Sequence, residues 1–352
     1  LLSARALRHN FERVRHFAAH ARVMAVVKAD GYGHGLGWAV RALAAADGFA
    51  VAGVEEGAAL RRAGVAKPVS LLGGFFEPSE LAEIAEHGLT PVIHSAQQVA
   101  ALESARGVDG LAVWFKLDTG MHRLGFAPEA VGEAARRLRA CKAVGRLDWL
   151  SHLANADDAR DPASASQIEL FKRQTDGEST ERSLANSAGI VAWPDSHFDW
   201  VRPGIMLYGG APLLGRAAAD FDLEPVMTLQ SRIIAVHRRR QGERIGYGGD
   251  WACPEDMPVG VVAIGYGDGY PRHARPGTPV LVDGVRLPIV GRVSMDMISV
   301  DLRARPATRV DEAVTLWGEG LAVDEIAGCA GTISYQLLCG VTARVPRVPR
   351  DG

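Results

Sequence analysis

The feature that most constrains the fold is a regular alternation of short apolar runs and amphipathic segments over the first 210 residues. Segments such as 36–46 and 128–141 place apolar residues three and four positions apart, which predicts helices, and the apolar runs between them predict buried strands. Alternating strands and helices give parallel strands, because each helix returns the chain to the same edge of the sheet. Eight such strands most simply close into a (β/α)8 barrel, and a doubly wound open sheet is the alternative. The eight predicted strands begin near residues 23, 49, 69, 89, 111, 147, 182 and 200.

The rest of the chain has a different sequence pattern. Beyond about residue 222, segments such as GVVAIGYGDG and VRLPIVGRVSMDMISVDL are short, β-branched and interrupted by Gly or Pro, a pattern typical of an antiparallel β domain. The length of 352 residues also calls for a second unit, because a bare barrel needs only about 250. We therefore predict an α/β protein with a barrel over 5–222 and a mainly β domain over 223–352, to which residues 1–4 would add a strand.

Composition argues against several classes of partner. The 39 Lys+Arg and 41 Asp+Glu residues give a pI of about 6.6, whereas proteins that bind nucleic acid are usually basic. No apolar run reaches the roughly 18 residues of a membrane helix. The four cysteines are scattered without CxxC spacing, so neither a disulfide framework nor a metal site is expected. The expectation is a cytoplasmic protein with no membrane or nucleic-acid partner.

The predicted barrel groups its candidate site residues at one mouth, because active sites of such barrels lie at the carboxyl ends of the strands. Strand one ends at Lys28, and a lysine amine forms Schiff bases with carbonyl compounds. The loops after strands seven and eight, where barrels often bind phosphate, offer the Ser187 hydroxyl and the Gly204 amide. Pyridoxal 5'-phosphate (PLP) carries both an aldehyde and a phosphate, so it is the cofactor that this pairing suggests. The other polar residues predicted at the mouth are Lys116, Arg123, His152, Asn186 and Arg202.

Several motifs of the chain resemble those of bacterial alanine racemases. AVVKADGYGHG at 25–35 is similar to the motif that carries the PLP lysine of this family, and further blocks follow in the family's order across most of the chain. The resemblance implies a PLP-dependent isomerase that interconverts L- and D-alanine, built as a barrel with a β-rich second domain and assembled as a head-to-tail homodimer. The later blocks are KLDTGMHRLGF (116–126), SHLANAD (151–157), SLANSAGI (183–190), VRPGIMLYG (201–209), RIGYGGDW (244–251), IGYGDGYPR (264–272) and GRVSMDMISVD (291–301).

The resemblance also implies two groups that move the α-proton. Lys28 would hold PLP covalently and act as one catalytic base, and Tyr247 in the IGYGG block would act as the other from the partner subunit. Two bases suit racemisation, since one removes the proton and the other returns it on the opposite face. The D-alanine produced would serve peptidoglycan synthesis.

By the same resemblance, the remaining cofactor contacts come from the barrel. Arg202 would donate to the pyridine nitrogen of PLP, and because an arginine stays protonated, the ring would be a weaker electron sink. His152 would link Arg202 towards the Tyr247 hydroxyl. The residues assigned to the cofactor are Lys28, Tyr32, His152, Asn186, Ser187, Arg202, Gly204 and Ile205, with Tyr32, Ser187, Gly204 and Ile205 at the phosphate.

Substrate contacts are implied as well. Arg123 would steady the substrate carboxylate or the PLP phenolic oxygen, and Lys116 matches a lysine that is carbamylated in several members of the family. Met295, from the partner, would lie near the substrate carboxylate, and Tyr266 matches a tyrosine at the opening through which substrate enters. Some members carry a phosphate-contacting tyrosine just before the RVPR segment. This chain has Ala343 there, so that contact would be absent or supplied elsewhere.

Other functions fit part of the pattern. A broad-specificity amino-acid racemase would share most core motifs and differ in the substrate pocket. A basic amino-acid decarboxylase of the same architecture would bring a catalytic cysteine from the second domain and an acidic partner for the pyridine nitrogen, whereas this chain offers Tyr247 and Arg202. A non-catalytic PLP-binding protein would resemble the barrel alone, so the β domain counts against it.

Overall fold

The first part of the chain forms a closed barrel of eight parallel strands in a computed structural model that describes residues 1–350. The strands are β1 (Arg22–Val26), β2 (Gly48–Val51), β3 (Val69–Leu71), β4 (Thr90–Ile93), β5 (Leu111–Lys116), β6 (Val144–Leu150), β7 (Arg182–Ser183) and β8 (Trp200–Val201). They pair in sequence order, and Arg22 of β1 also pairs with Trp200 of β8. The predicted (β/α)8 barrel is confirmed, because the doubly wound alternative would leave the first and last strands apart.

The helices of the barrel cover its outer surface, except α2, a short left-handed turn at the mouth. They are α1 (Ala4–Phe17), α2 (Lys28–Tyr32), α3 (Leu36–Ala42), α4 (Val54–Arg62), α5 (Glu80–Glu86), α6 (Ala96–Ser104), α7 (Pro128–Ala140), α8 (Ala163–Gln174) and α9 (Ser187–Ala192). α7 buries Val131, Ala134 and Leu138, which lie on one helical face three and four residues apart. Most strand residues are buried, as in β2 and β4, where every residue is buried, because parallel strands are covered on both faces.

The second part of the chain is mainly β, as predicted. Its strands are β9 (Leu229–Arg239), β10 (Arg244–Ile245), β11 (Trp251–Ala252), β12 (Met257–Val262), β13 (Pro279–Val282), β14 (Val285–Val290), β15 (Ile298–Asp301) and β16 (Ala313–Trp317), followed by helices α10 (Val323–Ala330) and α11 (Ser334–Gly340). Six strands close into an antiparallel barrel in the order β12-β15-β14-β13-β16-β9, and β10 and β11 form a separate hairpin. None of the helices formed by residues 1–350 is long and apolar enough to cross a membrane.

The two parts of the chain meet beside the mouth of the first barrel. Leu2 forms bridges to Met227 and Pro349, so the N-terminal residues lie along the second domain. Helix α11 packs against α2, and a Cβ at Gly33 would lie 2.1 Å from the Leu338 carbonyl oxygen. Gly33 also has a φ of 79°, so both its backbone conformation and this close contact require glycine. The contact places α11 over the turn that follows β1.

Candidate active site

A cavity of about 260 Å³ lies at the carboxyl ends of the barrel strands. It adjoins a cleft of about 750 Å³ between the two domains, and Arg123 and His152 line both. Three cations and no carboxylate line the cavity, a charge balance that favours an anionic ligand. Within residues 1–350, no group of three His, Cys, Asp or Glu side chains is placed to hold a metal ion. The predicted site residues on the cavity are Lys28, Tyr32, Arg123, His152, Asn186, Ser187, Arg202, Gly204 and Ile205.

The chain carries Lys28 to the cavity on a left-handed turn. Directly after it, Ala29, Asp30 and Gly31 have φ values of 54°, 53° and 62°. The turn is closed by a hydrogen bond of 2.8 Å from the Gly31 amide to the Val27 carbonyl. L-residues disfavour this conformation by roughly 1–2 kcal/mol each, because Cβ crowds the following carbonyl. Such strain persists only where the surroundings impose it, and it concentrates at functional sites.

Two lysines at the mouth have lowered pKa values. Burial lowers the pKa of Lys28, and the positive charge of Arg123 lowers it further. Lys116 is the last residue of β5 and is buried; burial, followed by the charge of Arg202, lowers its pKa to about 8. The neutral amine is the basic and nucleophilic form of lysine. Both side chains are therefore neutral more often near pH 8 than an exposed lysine would be.

Arg202 is buried and is held by four neutral partners. Its guanidinium donates to the Ser183 hydroxyl and the Ser151 carbonyl at 2.6 Å each, and to the Leu184 carbonyl at 3.3 Å. The fourth partner is His152, whose Nδ1 lies 3.2 Å from Nη2 of Arg202. Burial lowers the pKa of Arg202 to about 10, which leaves it charged at neutral pH.

The contact with Arg202 determines the protonation state of His152. Because a guanidinium only donates, Nδ1 of His152 accepts, and the proton of the neutral ring lies on Nε2. Burial, followed by the positive charges of Arg202 and Lys116, lowers the pKa of His152 well below its usual value. His152 is therefore a neutral ring with an Nε2–H donor at the cavity.

Tyr32, Ser187 and Gly204 form a polar cradle at the cavity. The Gly204 amide donates to the Ser187 hydroxyl at 2.9 Å, and a Cβ at Gly204 would lie 2.4 Å from the Tyr32 hydroxyl oxygen. The Tyr32 ring stacks on Tyr208 with centroids 4.7 Å apart, and the Tyr208 hydroxyl donates to the Val26 carbonyl of β1. Burial raises the pKa of Tyr32, so its hydroxyl keeps its proton. The Tyr32 and Ser187 hydroxyls suit phosphate oxygens, and the Gly204 amide holds the Ser187 hydroxyl in place.

Tyr335 is a cavity residue that the sequence reasoning missed. It lies on α11, lines the cavity, and its ring centroid is 6.0 Å from that of Tyr32. Some members of the family carry a tyrosine at the position of Ala343, so that contact was expected to be absent or supplied elsewhere; the structure places a tyrosine of the preceding helix at the cavity. The tyrosine in ISYQLLCG, shortly before the RVPR segment, was the available signal.

Four predicted residues do not line the cavity. Lys116 is buried at the end of β5 and lines neither the cavity nor the cleft, and the other three lie on the β domain. Tyr247, Tyr266 and Met295 are 70, 39 and 53% exposed, and none of them lines the cavity or the cleft. Backbone hydrogen bonds join the Tyr266 turn to the Met295 loop, and the Arg292–Asp250 ion pair joins that loop to the Tyr247 turn. One chain thus gathers these three residues on an exposed β-domain face.

Comparison with known proteins identifies the family to which this arrangement belongs. The alanine racemase N-terminal domain matches residues 2–212, and the alanine racemase C-terminal domain matches residues 226–349. The chain belongs to the alanine racemase family. An alanine racemase from Nitrosococcus oceani is 53% identical over 348 residues, which cover 99% of this chain and 98% of that protein. A biosynthetic alanine racemase from Escherichia coli is 48% identical over 347 residues, which cover 98% of this chain and 97% of that protein.

Solved structures of alanine racemases have the same architecture. The crystal structure of the biosynthetic alanine racemase from Pseudomonas aeruginosa has a TM-score of 0.97 at 46% sequence identity, covering 99% of this chain and 98% of that one. The alanine racemase from Acinetobacter baumannii has a TM-score of 0.92 at 38% identity, covering 99% and 98%. The predicted family is therefore confirmed across both domains, which argues against a protein that shares the barrel alone.

Proposed function

We propose that this member of the alanine racemase family interconverts L- and D-alanine with PLP as its cofactor. The observation that carries the proposal is one cavity that combines the lysine Lys28, the buried cation Arg202 and the polar cradle at Gly204. The alanine racemases that match this chain do so over almost its whole length, including the segments that line this cavity. The activity is that of an isomerase.

The residues of the cavity fit PLP in charge and in hydrogen bonding. The cradle has room for phosphate oxygens because position 204 is glycine, where a Cβ would collide with the Tyr32 hydroxyl. Asn186 and Ile205 line the same side of the cavity. The Nε of Arg202 makes no hydrogen bond within residues 1–350, so one N–H remains available for a pyridine nitrogen. Lys28 supplies the amine that would hold the aldehyde carbon.

When bound, PLP supplies an electron sink for the electron pair left at Cα of the amino acid after its proton is removed. Arg202 would donate an N–H to the ring nitrogen and, with a pKa of about 10, would keep its own proton. That nitrogen would then stay unprotonated and draw electrons less strongly. Arg202 would therefore favour prompt return of the proton to Cα, which is the step that racemisation needs.

Lys28 and Tyr247 of the partner subunit are the two groups to which we assign proton transfer. The lowered pKa of Lys28 favours its neutral amine, which can take the α-proton on one face. Tyr247 would take or return a proton through its hydroxyl, so its phenolate form needs a neighbour that stabilises the negative charge. The Nε2–H of His152, backed by the charge of Arg202, would supply that neighbour.

The exposed β-domain face supports a homodimer with shared sites. In a head-to-tail dimer, Tyr247, Tyr266 and Met295 of one protomer would reach the cavity of the other through the cleft of about 750 Å³. The cleft adjoins the cavity at Arg123 and His152, which makes it the path by which both substrate and the partner's side chains would enter. One chain would then hold the cofactor, and its partner would complete the site.

Arg123 would bind the carboxylate end of the substrate or the PLP phenolic oxygen, and Lys116 would hold Arg123 in place. Arg123 lines both the cavity and the cleft, where it can steady an incoming carboxylate. The neutral amine of Lys116, which has a pKa of about 8, can add to carbon dioxide to give a carbamate anion and a proton. That anion would lie among the cations of the mouth and hold Arg123 in place.

The proposed activity also suggests a cellular role and a location for the enzyme. D-alanine is a building block of bacterial peptidoglycan, so we propose that the enzyme supplies or recycles it. Cys141, Cys253, Cys329 and Cys339 are all free thiols, which is typical of a reducing compartment. We therefore place the enzyme in the cytoplasm.

The decisive experiment compares substrates on purified protein. The chain is incubated with PLP and L-alanine, L-serine or L-lysine, and the D-isomer is measured by chiral chromatography. We expect kcat/KM for alanine to exceed the values for serine and lysine by at least about tenfold, since even one extra group in a fitted pocket changes it by ~10–200-fold. Similar values for all three would instead support a broad-specificity racemase, and PLP binding without racemisation would support a non-catalytic protein.

A further inference from the structure

His34 holds the left-handed turn that follows Lys28. The His34 side chain is fully buried, and its Nδ1–H donates to the carbonyl oxygens of Tyr32 at 2.8 Å and Gly31 at 3.0 Å. Carbonyl oxygens only accept, so the proton of the neutral ring lies on Nδ1. Burial lowers the pKa of His34 to about 4, which keeps the ring neutral near pH 7.

The second ring nitrogen of His34 shows that histidine is not simply filling space. Nε2 is buried without a hydrogen-bond partner in residues 1–350, a cost that an apolar side chain would avoid. The His34 ring stacks on Tyr208 with centroids 4.7 Å apart, and Tyr208 also stacks on Tyr32. A phenylalanine could provide that stacking. What it could not provide is the Nδ1–H that binds two carbonyls of the turn.

Arg347 holds the same turn from the second domain. It belongs to the RVPR segment, and its Nε donates to the Gly33 carbonyl at 2.7 Å. Its Nη2 lies 3.8 Å from the Asp30 carboxylate and also donates to the Val341 carbonyl just beyond α11. The guanidinium therefore ties the turn to the segment that follows α11.

We propose that His34 and Arg347 are positioning residues that hold Ala29–Gly33 in its left-handed form and thereby fix Lys28 and Tyr32 at the cavity. The inference rests on the proposed function, because it concerns PLP binding. The turn begins at the residue after Lys28 and contains Tyr32, so relaxation to right-handed backbone angles would re-aim both side chains. Neither His34 nor Arg347 lines the cavity, and their effect must therefore pass through the turn.

The test separates the effect of the Nδ1 hydrogen-bond donor of His34 from the effect of its stacking ring. His34→Phe keeps a stacking ring and loses the donor, whereas His34→Asn keeps an amide donor near the Nδ1 position and loses the ring. The apparent Kd for PLP is measured by absorbance titration of the full chain, with urea unfolding in parallel. We expect the Kd to rise about tenfold in His34→Phe and to stay within about threefold in His34→Asn.

His197→Phe is the matched control for lost stability. His197 is half-buried and its Nε2 contacts the Ile190 carbonyl at 3.0 Å, but the residue lies away from the cavity. This variant should unfold at lower urea and still bind PLP like the wild type. The positioning role is overturned if His34→Phe binds PLP as tightly as the wild type, or loses no more affinity than His197→Phe does.

Two further measurements decide the question if His34→Phe does not fold or if the wild type binds no PLP. If His34→Phe does not fold, Arg347→Met tests the turn from its other side, with an expected tenfold rise in Kd and partial rescue in Arg347→Lys. The rate of reductive methylation of Lys28, relative to exposed Lys142, is also followed by mass spectrometry in the chain stripped of PLP. A changed Lys28 rate in His34→Phe supports the positioning role even if the wild type binds no PLP, a result that would defeat only the proposed function. Where the wild type binds PLP, unchanged PLP affinity in His34→Phe defeats the positioning role alone; where it does not, an unchanged Lys28 rate does.

Discussion

The two halves of the candidate site differ in how completely a single chain builds them. At the barrel mouth, Arg202 and Tyr32 are 3 and 6% exposed and are fixed by hydrogen bonds and ring stacking. On the exposed β-domain face, Tyr247 is 70% exposed and Met295 53%. The barrel half is thus organised within one chain, whereas the other half lies on an open surface.

This difference indicates which half can act before assembly. The charges and cradle of the barrel mouth are oriented by partners inside the same chain, so one chain should bind PLP by itself. The exposed β-domain face gains ordered surroundings only when something packs on it, and exposed apolar groups of this kind commonly mark interfaces. Catalysis should therefore depend on the association of two chains more strongly than PLP binding does.

The largest expected effect comes from removing the central group of the barrel half. Lys28→Ala should lower kcat for alanine by ~10³-fold or more, because the variant would lose both the proposed proton-transfer group and the proposed covalent hold on PLP. Chiral assay gives the rate, and borohydride reduction followed by mass spectrometry shows whether PLP is attached. Lys142→Ala, at an exposed lysine, is the control and should behave like the wild type. Retained borohydride labelling in Lys28→Ala would assign the attachment to another lysine.

The next effect tests whether the two halves come from different chains. Tyr247→Phe should lower kcat by ~10²–10⁴-fold, as expected when a general acid–base group is lost. When Lys28→Ala and Tyr247→Phe chains are combined, each mixed dimer would hold one site with Lys28 from one chain and Tyr247 from the other. Random mixing should then restore about a quarter of the wild-type rate, because half of the dimers are mixed and each has one intact site.

The mixing experiment has a clear opposite result. If each chain supplied its own Tyr247, every site in the mixture would lack one of the two groups, and the rate would be the average of the two parent rates. Differently tagged chains purified together verify that mixed dimers are present. A rate no higher than that of the more active parent, in a verified mixed dimer, contradicts the shared site.

A smaller effect is expected from filling the cradle. Gly204→Ala would place a Cβ 2.4 Å from the Tyr32 hydroxyl oxygen, so the hydroxyl must move away from the phosphate position. The Kd for PLP should rise about tenfold, the cost of one lost charge-assisted hydrogen bond. Gly132→Ala is the matched control, because nothing lies within 4 Å of a Cβ there. Removing the clashing oxygen with Tyr32→Phe should add little to the loss in Gly204→Ala, and full additivity would argue that the two residues do not share a ligand.

The pH dependence of carbamate formation on Lys116 tests the electrostatics of the barrel half. Its pKa of about 8 lies below the ordinary lysine value, so its neutral fraction rises steeply between pH 7 and 9, where an exposed lysine stays charged. With labelled carbon dioxide at fixed pressure, a carbamate signal in carbon NMR should grow over that range and vanish in Lys116→Met. Exposed Lys142 gives the comparison within the same chain. In Lys116→Met, KM for alanine should rise about tenfold as Arg123 loses its anionic neighbour. A signal that survives in this variant would exclude Lys116 as its source.

The parts of the site that could be predicted from sequence are those set by local rules. Lys28, Lys116 and Arg202 could be placed at the mouth because each lies at the end of a buried strand, and strand ends follow from the apolar pattern. Tyr335 could not be found this way, because it reaches the cavity only through the docking of α11 on α2, a contact between distant parts of the chain. Sequence spacing carries no information about such a contact. The left-handed backbone at Ala29 was not predicted either, because alanine rarely adopts it.

The smallest expected effect concerns that strained backbone. Ala29 has a φ of 54°, and replacing it with glycine relieves roughly 1–2 kcal/mol of crowding, while the extra freedom of the unfolded chain costs about 0.5–1 kcal/mol. Relief is the larger of the two, so Ala29→Gly should stabilise the fold by about 0.5–1 kcal/mol in urea unfolding. Ala130→Gly is the opposite control, since Ala130 is exposed in right-handed α7 and glycine there should destabilise by about 1 kcal/mol. If His34 and Arg347 impose the turn, Ala29→Gly should leave the Kd for PLP unchanged. Equal destabilisation by the two glycines would mean that Ala29 carries no strain. The left-handed turn would then not need His34 and Arg347 to hold it.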